Sequence, residues 1–152
     1  MIVVSDERLV RLIAIGKKTR HTFPANYRDD GQVCQPKISS GKVHKVYTKA
    51  PFGKYGDPNA KPMVAVYIED VYLDVLMDLA DEDAWPEGFA DINAFIRYWN
   101  ALYHPEHGRK KALTYANAPH TPVWVVKFRL DQVLPAGKLL VDRLESRVNR
   151  TS

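Results

Sequence analysis

The chain of 152 residues has the length of one ordinary domain, able to bury a core without disulfides or metals. Apolar residues at 45% and charged residues at 26% exclude a disordered chain, and no stretch approaches the roughly 18 apolar residues of a membrane-spanning helix. The net charge of +4 hides its distribution: residues 1–61 carry 12 Lys/Arg against 5 Asp/Glu, residues 62–107 carry 1 against 10, and residues 108–152 carry 9 against 3. Two basic blocks flanking an acidic one point to a polyanionic partner where the basic blocks meet in space; the plainer reading is mutual neutralisation across the fold.

Met1 to Val4 is too short for a secretory core and runs straight into Asp6 and Glu7. A single cysteine, Cys34, excludes an internal disulfide and a multi-cysteine zinc site. The expectation is a soluble, cytoplasmic protein with no membrane partner. Asp6 to Ile15 reads as a short helix, with Leu9, Val10, Leu12 and Ile13 as its apolar stripe and Ser5 or Asp6 as N-cap. Gly16 suits the C′ position, and Lys17 and Lys18 follow where a helix C-terminus favours cations. Thr19 to Phe23 is extended and stops at Pro24. Lys42 to Lys49 alternates as a strand, with Val43, Lys45, Tyr47 and Lys49 on one face and His44, Val46 and Thr48 on the other. Met63 to Leu76, rich in Val, Ile and Tyr, reads as one long strand or two consecutive ones.

Asp78 to Asp83 is expected as a short acidic helical turn, broken by Trp85-Pro86-Glu87-Gly88-Phe89. Asp91 is an N-cap, and Ile92, Phe95, Ile96, Trp99, Leu102 and Tyr103 recur at helical spacing. Residues 104–121 read as a polar, basic loop containing Arg109, Lys110 and Lys111. Val123 to Leu130 is the clearest buried strand, and the tail after Pro135 holds a short helix over Leu139 to Val148. This order predicts a small α+β barrel.

Several of these pieces, taken in order, carry a resemblance. Gly16-Lys17-Lys18-Thr19 follows a short helix, an acidic turn leads into Glu87-Gly88-Phe89, and Phe95, Tyr98-Trp99-Asn100 and Leu102-Tyr103 precede Pro122-Val123-Trp124-Val125-Val126-Lys127-Phe128. The set resembles an ASCH domain, a branch of the PUA-like superfamily. The resemblance spans about residues 9–131 of a single domain and leaves 132–152 as a C-terminal extension. It implies an α+β fold, a small PUA-like β-barrel with flanking short helices, and a cleft between barrel and helices. It places Lys18 and Glu87 in that cleft. Without it, Lys17 and Lys18 read as helix C-capping cations, and Glu87 as a carboxylate ahead of a helix N-terminus.

Some ASCH proteins remove the acetyl group from acetylcytidine with a Lys, a Thr and a Glu in the pattern Gly-x-Lys-Thr-x-Thr-x-Arg. Here His21 replaces the second Thr and Phe23 the Arg, and Thr22, one residue late, falls on the opposite face of a strand. Lys18, Glu87, Thr19 and His21 are therefore catalytic candidates without an intact triad. The segment from Pro36 to Lys61 offers a different chemistry. Lys37, Lys42, Lys45, Lys49, Lys54 and Lys61 are interleaved with Tyr47, Phe52 and Tyr55, with His44 beside them and Asp57 as the sole acid. Cations track a phosphate backbone and aromatic faces accept unstacked bases. A solvated hairpin whose rings cover the barrel is the bland alternative. The expected partner is RNA or single-stranded nucleic acid, contacted by Lys17, Lys18, Arg20, Lys42, Lys45, Tyr47, Lys49, Lys54, Lys110 and Lys111. The rival is a small hydrolase or ribonuclease on the same cleft. His104 and His107 have no third ligand nearby, so no metal is expected, and no motif calls for a cofactor.

Overall fold

A computed structural model describes residues 1–76, 80–103 and 121–151. Its strands are β1 (Ile2–Val3), β2 (Arg20–Pro24), β3 (Val43–Tyr47), β4 (Val64–Val75) and β5 (Pro122–Val133), joined as one sheet in the order β1-β3-β4-β5-β2. Its helices are α1 (Glu7–Ala14), α2 (Asp81–Ala84), α3 (Ile92–Tyr103) and α4 (Pro135–Thr151). The chain divides into two compact units: Met1–Thr19, Lys37–Val71 and Val126–Ser152 form the first, and Arg20–Pro36 with Tyr72–Val125 the second.

In the first unit, β1 pairs parallel with β3, Ile2 opposite Val46, and β3 pairs antiparallel with β4, Val46 opposite Val64. Val64, Val66 and Ile68 alternate on β4 and are fully buried, as period-2 spacing requires of a face turned to a core. Leu9, Val10 and Ile13 of α1 and Leu140 of α4 are buried in the same unit. Asp6 caps α1 by accepting the Arg8 N–H at 2.9 Å. At the other end the Lys17 N–H donates to the Leu12 carbonyl at 2.8 Å and the Gly16 N–H to Ile13 at 3.0 Å, with Gly16 at φ +81°. This pair of bonds closes a Schellman motif, whose left-handed residue is the glycine expected there. Glu7 and Arg11 of α1 pair with Arg143 and Glu145 of α4.

Helix α4 starts at Pro135, four residues before the expected start at Leu139, because proline at a first helical position loses only an N–H that would have no helical partner. The Leu134 N–H donates to the Met63 carbonyl at 3.0 Å and draws the helix start against the beginning of β4. Gly137 is the residue that permits this approach, since a Cβ there would lie 1.9 Å from the Met63 oxygen. Strand β1 was not expected at all; two residues show no alternation.

In the second unit, Ala84, Ile92, Phe95, Trp99, Val123 and Val125 form a buried cluster flanked by Tyr72, Leu76, Phe89, Ile96 and Tyr103. Asp91 caps α3 as expected, accepting the Ala94 N–H at 2.8 Å. Phe89 packs against Phe95 and Tyr98 at centroid separations of 5.8 and 5.1 Å. The acidic helical turn falls on Asp81–Ala84. Asp78 and the loop cations Arg109, Lys110 and Lys111 lie outside the described residues, as do His104 and His107.

Gly137→Ala is expected to lower stability by about 1–3 kcal/mol, because the added methyl overlaps a backbone carbonyl that cannot swing aside. Urea denaturation checks this, with Leu139→Ala, exposed on the same helix, expected to stay within about 0.5 kcal/mol of the parent.

Candidate functional site

Among the described residues β2 is the outermost strand beyond β5, so the backbone N–H groups on its outer side need partners from elsewhere. The turn after α2 supplies them. The Arg20 N–H donates to the Pro86 carbonyl at 3.0 Å, and the Thr22 N–H to Glu87 Oε1 at 3.0 Å. Side chains on the same face of β2 add to this. Thr22 Oγ1 donates to Glu87 Oε2 at 2.7 Å, and Arg20 Nε donates to the same oxygen at 2.7 Å. Arg20 also reaches the Asp83 carbonyl through Nη2. The turn can bring its carboxylate here because Gly88 takes φ +99°, a conformation without Cβ strain only for glycine.

Glu87 is 3% exposed and Thr22 7%. A buried carboxylate is tolerable when its charge is paired and its oxygens are hydrogen-bonded, and both conditions hold here. Beside this cluster lies a cavity of about 120 Å³ lined by Arg20, Thr22, Tyr72, Asp74, Glu87 and Phe95, among others. It joins aromatic walls to a few converging polar groups, the general make-up of a small-ligand pocket.

Thr22 and His21 fall on opposite faces of β2, as neighbours on a strand do. The structure turns Thr22 to Glu87 and leaves His21 half-buried, its ring 6.0 Å from that of Phe23. The legible signal was the i, i+2 relation of Arg20 and Thr22, which puts a cation and a hydroxyl on one strand face. Arg20, expected to contact a nucleic acid, is bound to Glu87. Lys18 and Thr19 belong to the first unit, where Lys18 is 2% exposed and Lys17 and Thr19 are open to solvent.

The first unit carries the cationic segment. Lys37, Lys42, Lys45, Lys49, Lys54 and Lys61 are all exposed, whereas Val46 is buried and Tyr47 half-buried, so the alternation read along β3 is the one observed. Phe52 is 69% exposed and Tyr55 93%, with the Lys54 ammonium 5.6 Å from the Tyr55 ring centroid. These two rings stand in water rather than covering the core. Partial burial first, then the amino terminus and Lys42, push the His44 imidazole below the usual histidine range.

Two solved structures share this architecture. One is an ASCH domain from Lactobacillus crispatus JV V101, with a TM-score of 0.57 and 16% identity over 86% of this chain and 77% of that one. The other is a DUF984 protein from Enterococcus faecalis V583, with a TM-score of 0.54 and 14% identity over 84% and 72%. The fold is ASCH-like. No family model matches the sequence, and no curated protein matches it. In this ASCH-like fold, Gly16 to Thr19 closes α1 and leads into β2, Glu87 to Phe89 follows α2, and Pro122 to Phe128 begins β5. The expected α+β class and PUA-like architecture are those observed.

Arg20→Ala should cost about 2–3 kcal/mol, below the 3–5 kcal/mol of a fully buried pair because the Arg20 side chain keeps 23% of its surface in water. Thr22→Val should cost about 1.5–3 kcal/mol by removing a hydroxyl donor from a charged acceptor. The double variant should fall short of the sum, since both side chains act on one carboxylate oxygen. Chemical denaturation of the three variants checks the coupling.

Proposed function

We propose that this ASCH-like protein binds nucleic acid, RNA or a single strand, through the lysine-bearing segment of its first unit. One observation carries this reading: six lysines between residues 37 and 61 are solvent-exposed, and Asp57 is the only acid among them. Exposed ammonium groups gain affinity for a phosphate chain mainly by releasing its condensed counterions, so no rigid site is needed. The acid-rich second unit offers no comparable run between residues 20 and 36 or 72 and 103.

Affinity for a short single-stranded RNA should then fall steeply and log-linearly with salt. The variant carrying Lys45→Ala, Lys49→Ala and Lys54→Ala should bind every sequence more weakly, with the salt slope reduced by about 2–3. Fluorescence anisotropy over a salt series reads both quantities. Unchanged binding by the triple variant would remove the segment from the interface.

A second reading is a small acyl-amide hydrolase, favoured by the Thr22 hydroxyl donating to Glu87 at 2.7 Å beside the 120 Å³ cavity. In that reading Glu87 accepts the hydroxyl proton as Thr22 Oγ1 attacks the acyl carbon. The departing amine takes a proton, and water releases the acyl group from Oγ1. Arg20 on the same carboxylate oxygen makes positioning of β2 the first task of Glu87, so the binding reading stands ahead. Incubation with acylated cytidines separates the two. Turnover by the parent that Thr22→Val loses and Thr22→Ser retains would establish the hydrolase.

A further inference from the structure

The loop between β3 and β4 is built to hold two aromatic rings in water. Its ends are closed by the Asp57 N–H donating to the Ala50 carbonyl at 2.7 Å, and its tip by the Gly56 N–H donating to Gly53 at 3.1 Å. Asp57 stiffens the exit, its side chain accepting the Asn59 N–H at 2.9 Å and its carbonyl the Ala60 N–H at 3.0 Å. Gly53 takes φ +94°, and a Cβ on Gly56 would lie 2.2 Å from the Phe52 carbonyl oxygen. The backbone thus favours glycine at both positions, by its positive φ at Gly53 and by close packing at Gly56, while Phe52 and Tyr55 stay 69% and 93% exposed. A loop with only a linking role has no physical reason to combine tight closure with two large solvated rings.

We propose that residues 50–57 form a preorganised stacking platform for the unpaired bases of a single strand, with Phe52 and Tyr55 as the stacking surfaces. This rests on the reading of residues 37–61 as a nucleic-acid surface and adds the strandedness of the ligand and the residues that select it. A base offers its π-face to a ring only where it is not already stacked between neighbours, so the rings discriminate against a duplex interior. Rings and lysines together also suit an anionic membrane surface. The cations favour the nucleic acid, because they are not confined to the loop tip: Lys45 on β3 and Lys49 after it are exposed on the same chain as Lys54. Fixing the backbone that carries the rings before binding lowers the ordering cost that a mobile loop would pay.

The test compares the parent, a Phe52→Ala/Tyr55→Ala variant and a Gly56→Ala variant on three probes: a short labelled single-stranded RNA, the same sequence as a duplex, and vesicles of anionic phospholipid. Circular dichroism confirms that each variant is folded. The ring variant should lose about 10-fold or more in single-strand affinity per ring, keep its salt slope, and bind the duplex as the parent does. Gly56→Ala, which keeps both rings but forces the loop open, should lose single-strand affinity in the same direction. If the parent binds RNA and the ring variant binds the single strand equally well, the platform is overturned while the cationic surface stands. Single-strand affinity unchanged by Gly56→Ala overturns the preorganisation. If the parent binds neither RNA probe, the nucleic-acid reading falls, and ring-dependent binding to vesicles alone would assign the loop to lipid.

Discussion

The outer edge of β2 is the constraint from which the second unit follows. An edge strand carries backbone donors that the sheet does not use, and those on the inward-turned stretch of β2 cannot be left dry. A carboxylate is well suited to the task, because it offers several acceptor sites and no donor that would repel an N–H. Glu87 accepts from the Thr22 backbone, the Thr22 hydroxyl and Arg20 Nε at once. To deliver that carboxylate, the chain after α2 must turn sharply, which Gly88 allows, and be fixed, which Phe89 does among Phe95 and Tyr98. The arginine then answers the buried negative charge, and its second nitrogen ties down the carbonyl of Asp83. The cavity beside Glu87 is a consequence of this bracing: rings on one side, a clamped polar cluster on the other.

The first unit solves a different problem, that of presenting charge without spending core. Strand β3 lies between β1 and β4, paired with β4 along Val43–Val46 and with the two-residue β1 at Val46 and Tyr47. That leaves its side chains to divide by period 2. Val46 goes to the core opposite Ile2 and Val64, and Lys45 goes to water. A strand can carry a charge on its solvated face at little cost to stability, because a solvated ammonium loses no hydration. The closures that matter for stability are elsewhere in the unit, in the Schellman turn at Gly16 and the close approach of Gly137 to Met63.

Local rules made much of this readable from residues alone. Asp6, Gly16 and Asp91 mark helix ends because capping is decided within a few residues of chain, and the three sit where capping chemistry needs them. The strand over residues 43–47 was readable because alternation needs no knowledge of its neighbours. What escaped was non-local. The face of β2 that meets Glu87 depends on a partner 65 residues away, so no local rule along the strand announces the Thr22 contact. Arg20 was legible as a cation but not as the counter-charge of a buried glutamate. Gly137 inside a helix has no local purpose, and its need arises from the carbonyl of Met63 on another element. The rings of Phe52 and Tyr55 were visible in sequence, yet whether they covered a core or faced water was a question only the fold could answer.

The bracing of β2 also decides which substitution can report on chemistry at Glu87. A glutamine in its place has one acceptor oxygen and an NH₂ group that donates. The Thr22 hydroxyl and Arg20 Nε converge on Oε2, and the Thr22 N–H reaches Oε1. Whichever way the amide is oriented, its nitrogen meets an N–H or an O–H that needs an acceptor. A loss of function in Glu87→Gln therefore mixes lost chemistry with a loosened edge strand. Changes at Thr22 are cleaner. Serine keeps the hydroxyl, and valine keeps the branched shape without it, while both keep the backbone N–H on Oε1. The strand remains anchored by that bond and by the Arg20 N–H on Pro86. A difference between serine and valine at this one position thus isolates the hydroxyl, and with it the question of whether the carboxylate serves a reaction or only the fold.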